Sequence, residues 1–330
     1  MIFVLITLLV GSIIAAVHYA EVIAHKLGEP YGTLVLAVSV TVIEVALIVA
    51  MMLSGSDGAA YIARDAVFAA IMIVVNGVVG LCIFIGGLNH RELGFRIEGP
   101  NSAIAVLAAL ATLTLVLPVF TISSPGPTFT VSQLAFAGVS SLVLYGAFIF
   151  FQTVSHRDYF LPHQSDLKTN AEAHAEPPSR NKTIWSAVLL FIALIFVVGL
   201  AKALSPSIEA GVKVLGAPKT IVGIVIAALV LMPESVAALR AARANRLQTS
   251  FNLALGSALA SIGLTIPTVA IISIYFGLPL SLGIGPVNLV LLILTLFVGL
   301  ITLTLGKTTI LQGIVHLIIF FTYLFTSLIP

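Results

Sequence analysis

The chain has 330 residues, 59% of them hydrophobic and 8% charged, with a mean hydropathy of +1.17. A soluble domain carries about 25% charged residues, and the apolar runs here are long rather than alternating, so the composition specifies an all-α integral membrane protein and excludes a soluble fold. The net charge of +2 is too small to point to a nucleic-acid partner, and the single cysteine, Cys82, excludes an intrachain disulfide or a cysteine metal site.

Ten transmembrane helices are predicted in chain order. The first five fall at 2–24, 30–53, 62–88, 101–120 and 131–154, and the last five at 184–204, 213–239, 249–276, 284–305 and 308–328. The first has neither a basic leader nor a small-residue cleavage site, so it reads as a span rather than a signal peptide. The chain therefore divides into a five-helix repeat at 1–154, a linker at 155–183 and a second five-helix repeat at 184–330. The stretch His156 to Lys182 holds Asp158, His163, Asp166, Glu172, His174, Glu176 and the pair Pro177-Pro178. This is the composition of a solvated tether, with a regulatory cation or pH sensor as the alternative.

The 15 Lys and Arg residues set the orientation. Lys26, Arg91, Arg96, Arg157, Lys168, Arg180, Lys182, Arg240, Arg243, Arg246 and Lys307 share one side, while only Arg64, Lys202, Lys213 and Lys219 fall on the other. The richer side is expected to be cytoplasmic, with the linker inside and both termini outside. Five is an odd number of crossings, so the second half enters from the opposite face and the two halves form an inverted repeat.

Two acids interrupt the oil. Glu44 lies in the apolar run 34–53 and Glu234 in the run 221–239. A carboxylate at the centre of a bilayer costs at least a few kcal/mol, and intramembrane acids mark ion or proton paths. In the second span, Glu29, Thr33, Ala37, Thr41, Glu44 and Ile48 fall near one face of a 3.6-residue helix, a polar and small stripe ending near the buried acid. Pro30 suits the first helical position, and Glu29 beside it reads either as a helix cap or as the mouth of the path. In the seventh span Pro233 precedes Glu234 and removes the hydrogen bond to the carbonyl of Leu229, so this span is expected to be partly unwound there, with a free oxygen near the carboxylate. Beyond it, Arg240, Arg243 and Arg246 read as a helix end meeting lipid phosphates, or as a gate.

The neighbouring spans supply further oxygens. Asn76 sits in the third span. In the eighth, Asn252, Gly256 and Ala260 recur every four residues, as do Ser257, Ser261 and Thr265. The first row allows close helix approach and the second offers hydroxyls. Asn76, Asn252 and Ser257 are thus candidate cation ligands beside Glu44, Glu234 and Thr41, with plain interhelical hydrogen bonding as the alternative for both asparagines. Arg64-Asp65 reads as a local ion pair rather than a gate, and His18 and His316 as packing histidines, with a proton relay as the alternative. Nothing resembles a phosphate loop, a nucleophile triad or a zinc cluster, so the chain is expected not to be an enzyme.

The run from His18 to Val45, HYAEVIAHKLGEPYGTLVLAVSVTVIEV, with Leu231-Met232-Pro233-Glu234 and Gly306-Lys307-Thr308-Thr309-Ile310-Leu311-Gln312-Gly313, resembles the bacterial Cha-type cation/proton antiporters. These belong to the calcium/cation antiporter superfamily, near the calcium/proton exchangers. The resemblance implies two inverted five-helix repeats, one essential glutamate in each, matching Glu44 and Glu234, and a third-helix asparagine matching Asn76. The exchangers' Gly-Asn-Ala-x-Glu motif is absent. Thr41 and Leu231 stand where its asparagines would, and Ala260 stands where many calcium/proton exchangers carry a glutamine. Ca²⁺ takes 6–8 oxygens, so the loss of these donors leaves monovalent exchange open.

The expected function is exchange of a cytoplasmic cation (Ca²⁺, Na⁺ or K⁺) for protons by alternating access, in the bacterial inner membrane. The metal ligands would be Glu44 and Glu234. No cofactor is expected, and the partners are metal cations, protons and the lipid bilayer. The alternatives are a sodium/calcium exchanger and a passive cation channel.

Overall fold

The computed structural model describes residues 2–28, 31–53, 58–90, 92–160, 178–214, 218 and 220–329. Ten long helices dominate. They are α1 (Ile2–Leu27), α2 (Tyr31–Met52), α3 (Ala59–Asn89), α4 (Glu98–Phe120), α5 (Val131–Ser155), α6 (Arg180–Val214), α7 (Thr220–Arg243), α8 (Leu247–Phe276), α9 (Pro286–Thr304) and α10 (Ile310–Leu328). Among the described residues nine have a stretch long and apolar enough to cross a bilayer, and α2 adds the shorter apolar segment Ala37–Met52. The largest boundary difference is α6, which runs past its predicted end at 204 to Val214. Hydropathy marks where the lipid core ends, whereas backbone hydrogen bonds decide where the helix ends.

The inverted repeat is visible in which helices touch. Helix α3 packs on α7 as α8 packs on α2, and α3 packs on α10 as α8 packs on α5. Each is the same pairing with the halves exchanged. The connecting loops repeat the relation. Strand β1 (Leu93–Gly94), after α3, pairs antiparallel with β2 (Lys307–Thr308), before α10. In the other half the loop after α8 meets the loop before α5, where the Gly283 N–H donates to the Pro127 carbonyl at 3.0 Å. Even the helix starts match. Thr130 and Gln133 form a capping box at α5, and Thr309 and Gln312 form one at α10.

Buried apolar residues form two clusters. One fills the space among α3, α4, α5 and α8 to α10, reaching into α7; the other joins α1, α2 and α6 to the starts of α3 and α7. Large apolar side chains such as Phe191, Ile195, Phe297 and Phe321 are exposed on the outer faces, where the solvent is lipid rather than water. The acidic helices α2 and α7 lie where the two clusters meet.

One local expectation fails. Helix α7 runs through Pro233 without a break. Proline deletes a single i to i−4 bond, and nearby Ser and Thr side chains help to satisfy the backbone around such a site. The bond lost is the one to the Leu229 carbonyl; the helix persists on either side, and the Ser235 hydroxyl adds a bond to the Leu231 carbonyl at 2.6 Å.

Candidate functional site

Glu44 lies near the middle of α2 and is 2% exposed; Glu234 lies near the middle of α7 and is 8% exposed. The Ser261 hydroxyl of α8 donates to Glu44 Oε1 at 2.6 Å, within the short range of a hydroxyl meeting a carboxylate. Among the described residues no hydroxyl donates to Glu234, and its buried Oε2 accepts no hydrogen bond. From Leu247 to Ser261 is about 21 Å at about 1.5 Å per residue, which puts the pair of acids deep within the span.

Both glutamates line one cavity of about 180 Å³. Helix α2 adds Thr41, whose hydroxyl donates to the Ala37 carbonyl at 2.8 Å and keeps lone pairs free. Helix α8 adds residues from both of its rows, including Asn252, Gly256, Ser257 and Ser261. Gly256 leaves the wall open, since a side chain there would meet nothing within 4 Å. The cavity extends to Thr249, Gln152 and the exposed Arg157, so it opens on the face richer in Lys and Arg. At the opposite end the described residues pack closely. Arg64 pairs with Asp65 at 2.8 Å and donates to the Gly283 carbonyl at 3.0 Å. Gly223 of α7 lies so near α3 that a Cβ there would come within 2.8 Å of the Ala66 nitrogen.

The other predicted residues are distributed unevenly. Asn252 lines the cavity, but its amide is engaged, with Nδ2 donating to the Phe160 carbonyl at 2.6 Å and Oδ1 accepting from Gln248 at 3.3 Å. Asn76 is fully buried outside the cavity lining, in a π-helical turn of α3, Met72–Val78. Its Nδ2 donates to Thr295 of α9 at 2.8 Å, and its Oδ1 meets His316 Nδ1 of α10 at 3.1 Å. His316 Nε2 in turn lies 3.1 Å from Thr302 of α9. One consistent assignment runs through the set: Thr302 donates to His316, His316 to Asn76, Asn76 to Thr295, and Thr295 to the Met72 sulfur. His18, by contrast, is exposed on α1 beside Tyr19. Glu29 lies outside the described residues, as does the stretch 161–177 of the linker called at 155–183.

Sequence reasoning passed over α5. Tyr145, Ile149 and Gln152 fall on one face of that helix and form the wall opposite α8. Their three- and four-residue spacing was a usable signal, hidden because tyrosine and glutamine in an apolar helix also read as interfacial residues. Tyr145 Oη is buried without a partner among the described residues, and Tyr145 packs so closely on Gly263 that a Cβ there would come within 2.7 Å of it. Among the described residues no group of three or more His, Cys, Asp or Glu could hold a metal ion. Any cation here would be met by two carboxylates and neutral oxygens.

Inverted five-helix halves that each contribute one buried acid to a shared intramembrane cavity define a secondary cation transporter. The chain belongs to the sodium/calcium exchanger protein family, whose model matches residues 1–154 and 185–329. It is 51% identical over 327 residues to the putative ionic transporter y4hA of Sinorhizobium fredii, covering 98% of this chain and 87% of that one. It is 34% identical over 318 residues to the sodium-potassium/proton antiporter ChaA of Escherichia coli, covering 96% and 86%. Among solved structures it superposes on native YfkE with a TM-score of 0.74 at 17% identity, covering 98% of this chain and 90% of that one. It superposes on the H⁺/Ca²⁺ exchanger CAX with a TM-score of 0.69 at 17% identity, covering 97% and 82%. At these identities the structural likeness is one of fold.

Proposed function

We propose that the chain is a proton-coupled cation exporter of the bacterial inner membrane, exchanging cytoplasmic Na⁺, K⁺ or Ca²⁺ for protons by alternating access. The observation that carries this reading is one buried acid from each inverted half in the wall of a single cavity, open on one face and closely packed toward the other. Glu44 and Glu234 bind either a cation or protons. Two ionised carboxylates confined in a low-dielectric site are costly unless one or the other neutralises them. Competition for one pair of acids then couples the two fluxes without a second site. Ser261, Ser257 and Thr41 supply neutral oxygens as the cation sheds water, and Glu234, whose Oε2 accepts no hydrogen bond among the described residues, has a lone pair to offer. Support also comes from relatives named as a sodium-potassium/proton antiporter and as a Ca²⁺/H⁺ antiporter.

The Lys and Arg bias puts the open face, the linker and Arg157 in the cytoplasm and both termini outside. This is the loading state of an exporter. A channel needs a continuous hydrated path, and the close packing around Arg64–Asp65 argues against one. A sodium/calcium exchanger of the same family would move cations without protons. Everted vesicles separate the readings. Addition of Na⁺, K⁺ or Ca²⁺ should collapse an imposed ΔpH in vesicles carrying the protein. No proton movement with any of the three, alongside Na⁺-driven Ca²⁺ uptake, would refute proton coupling.

A further inference from the structure

Among the described residues, three with formal charge line the cavity, Glu44 and Glu234 within it and Arg157 at its exposed mouth. Two acids are what a cation path requires. An arginine at the same mouth opposes entry, and the backbone that carries it is held in place. Arg157 opens a short 3₁₀ turn, Arg157–Tyr159, just past the end of α5. The three carbonyls that follow are clasped one after another. Arg96 donates to that of Asp158, Gln248 Nε2 to that of Tyr159 at 3.3 Å, and Asn252 Nδ2 to that of Phe160 at 2.6 Å. Phe160 is buried edge-on against Phe148 and Phe151. Gly99 backs the strap so tightly that a Cβ there would come within 2.8 Å of the Tyr159 carbonyl oxygen.

Among the described residues no carboxylate forms an ion pair with Arg157; the ion pairs there are Arg64–Asp65 and Lys307–Glu92. Its neighbour Asp158 does not line the cavity. We propose that Arg157 is a charge filter at the cytoplasmic mouth that disfavours divalent relative to monovalent cations, making Na⁺ or K⁺ the preferred substrate class. This rests on the exchange reading above and adds to it a specificity-determining residue. Asn252 then acts as the clasp that positions the filter.

The physics gives the proposal a quantitative signature. The repulsion between Arg157 and an entering ion is proportional to the ion's charge. The factor by which it lowers entry is exponential in that energy, so the factor for a divalent ion is the square of that for a monovalent one. A threefold handicap for Na⁺ is a ninefold handicap for Ca²⁺. Because the mouth is exposed, added salt weakens the effect, with a Debye length of about 8 Å at 0.15 M, while the buried acids are screened much less.

The test measures half-saturating Na⁺, K⁺ and Ca²⁺ for ΔpH dissipation in everted vesicles, at low and at raised choline chloride. Arg157→Gln should lower the half-saturating concentration for all three ions, with the factor for Ca²⁺ about the square of that for Na⁺ and K⁺. Arg157→Lys should keep the wild-type ratio. In the wild type itself, choline chloride should lower the Ca²⁺ value more than the Na⁺ value, a readout that does not depend on any variant inserting. Equal shifts for all ions in Arg157→Gln, or a salt-independent Ca²⁺/Na⁺ ratio in the wild type, would overturn the filter while leaving exchange intact. A wild type in which no cation moves protons would overturn the exchange reading instead.

Discussion

Asn76 is where the sequence and the structure divide most sharply, and a double-mutant cycle with His316 resolves it. Three interhelical hydrogen bonds meet there: Asn76 to Thr295, Asn76 to His316, and His316 to Thr302. They tie α3, α9 and α10 together in a region without exposure. In membrane proteins such bonds average about 0.6 kcal/mol, up to about 1.7 kcal/mol, because polar groups in the unfolded membrane state also find partners. Asn76→Ala removes two of them, so it should destabilise by about 1.2 kcal/mol, up to about 3.4 kcal/mol. His316→Ala also removes two, and adds the loss of a buried ring. The double variant removes three bonds, not four, so the coupling energy should equal the one shared bond, about 0.6 to 1.7 kcal/mol. Thermal unfolding of the four detergent-solubilised proteins measures this, and half-saturating cation concentrations in vesicles measure the rest. A coupling near zero would refute the network. A large rise in half-saturating cation with unchanged stability in Asn76→Ala would make the asparagine a ligand and not a tie.

Three further outcomes follow from the same geometry. Glu44→Gln and Glu234→Gln should each abolish cation-dependent proton flux while leaving the protein inserted, since the amide keeps the volume but cannot trade a proton for a cation; appreciable residual exchange in either vesicle assay would remove that residue from the mechanism. Gly313→Ala should destabilise by about 1–3 kcal/mol through overpacking, because its Cβ would come within 2.6 Å of the Phe84 nitrogen, which is backbone and cannot swing away; Gly11→Ala, with nothing within 4 Å, is the control and should be neutral or stabilising in the same melt. A cysteine at the exposed Ser179, in a background lacking Cys82, should resist impermeant thiol reagents in intact cells and react in everted vesicles; labelling from outside would reverse the orientation.

Much of this architecture was legible because a bilayer is a simple solvent. Long apolar runs give helices, an odd number of crossings per half gives inversion, and an acid within a run gives a site. The two rows of small and hydroxyl residues on α8 came directly from four-residue spacing, and Ser261 from that set is the group that meets Glu44. What could not be read was contact between distant elements. Asn76 and Asn252 are both amides in apolar helices, yet one is locked to His316 and the other to the Phe160 carbonyl. Those partners lie far along the chain and leave no periodic trace. Arg157 read as part of a solvated linker, and only its place in the cavity lining, on a turn whose next three carbonyls are clasped, shows that it belongs to the cavity. Proline 233 misled for the opposite reason: its local chemistry was read correctly, but the rest of α7 remained helical around one missing bond.

The inverted halves also explain why an asparagine that resembles a ligand can sit in a dry seam. The cavity opens between the second half of α5 and the first half of α8. Exchanging the repeats maps that wedge onto the second half of α10 and the first half of α3, at the opposite face of the membrane. There the space is filled. Tyr323 and Phe68 are buried with their rings edge-to-face at 5.4 Å, and Phe320 lies 3.5 Å from where a Gly77 Cβ would be. Asn76 and His316 close the inner end of the same seam. One topology is therefore present twice, once open and once packed. For the halves to exchange roles, as alternating access requires, the α3–α10 seam must part and the α5–α8 wedge must close. On the alternating-access proposal, parting it costs the hydrogen bond between Asn76 and His316. The strength of that network thus bears on how readily the outward-open state forms, and weakening it should shift the protein toward that state before it unfolds.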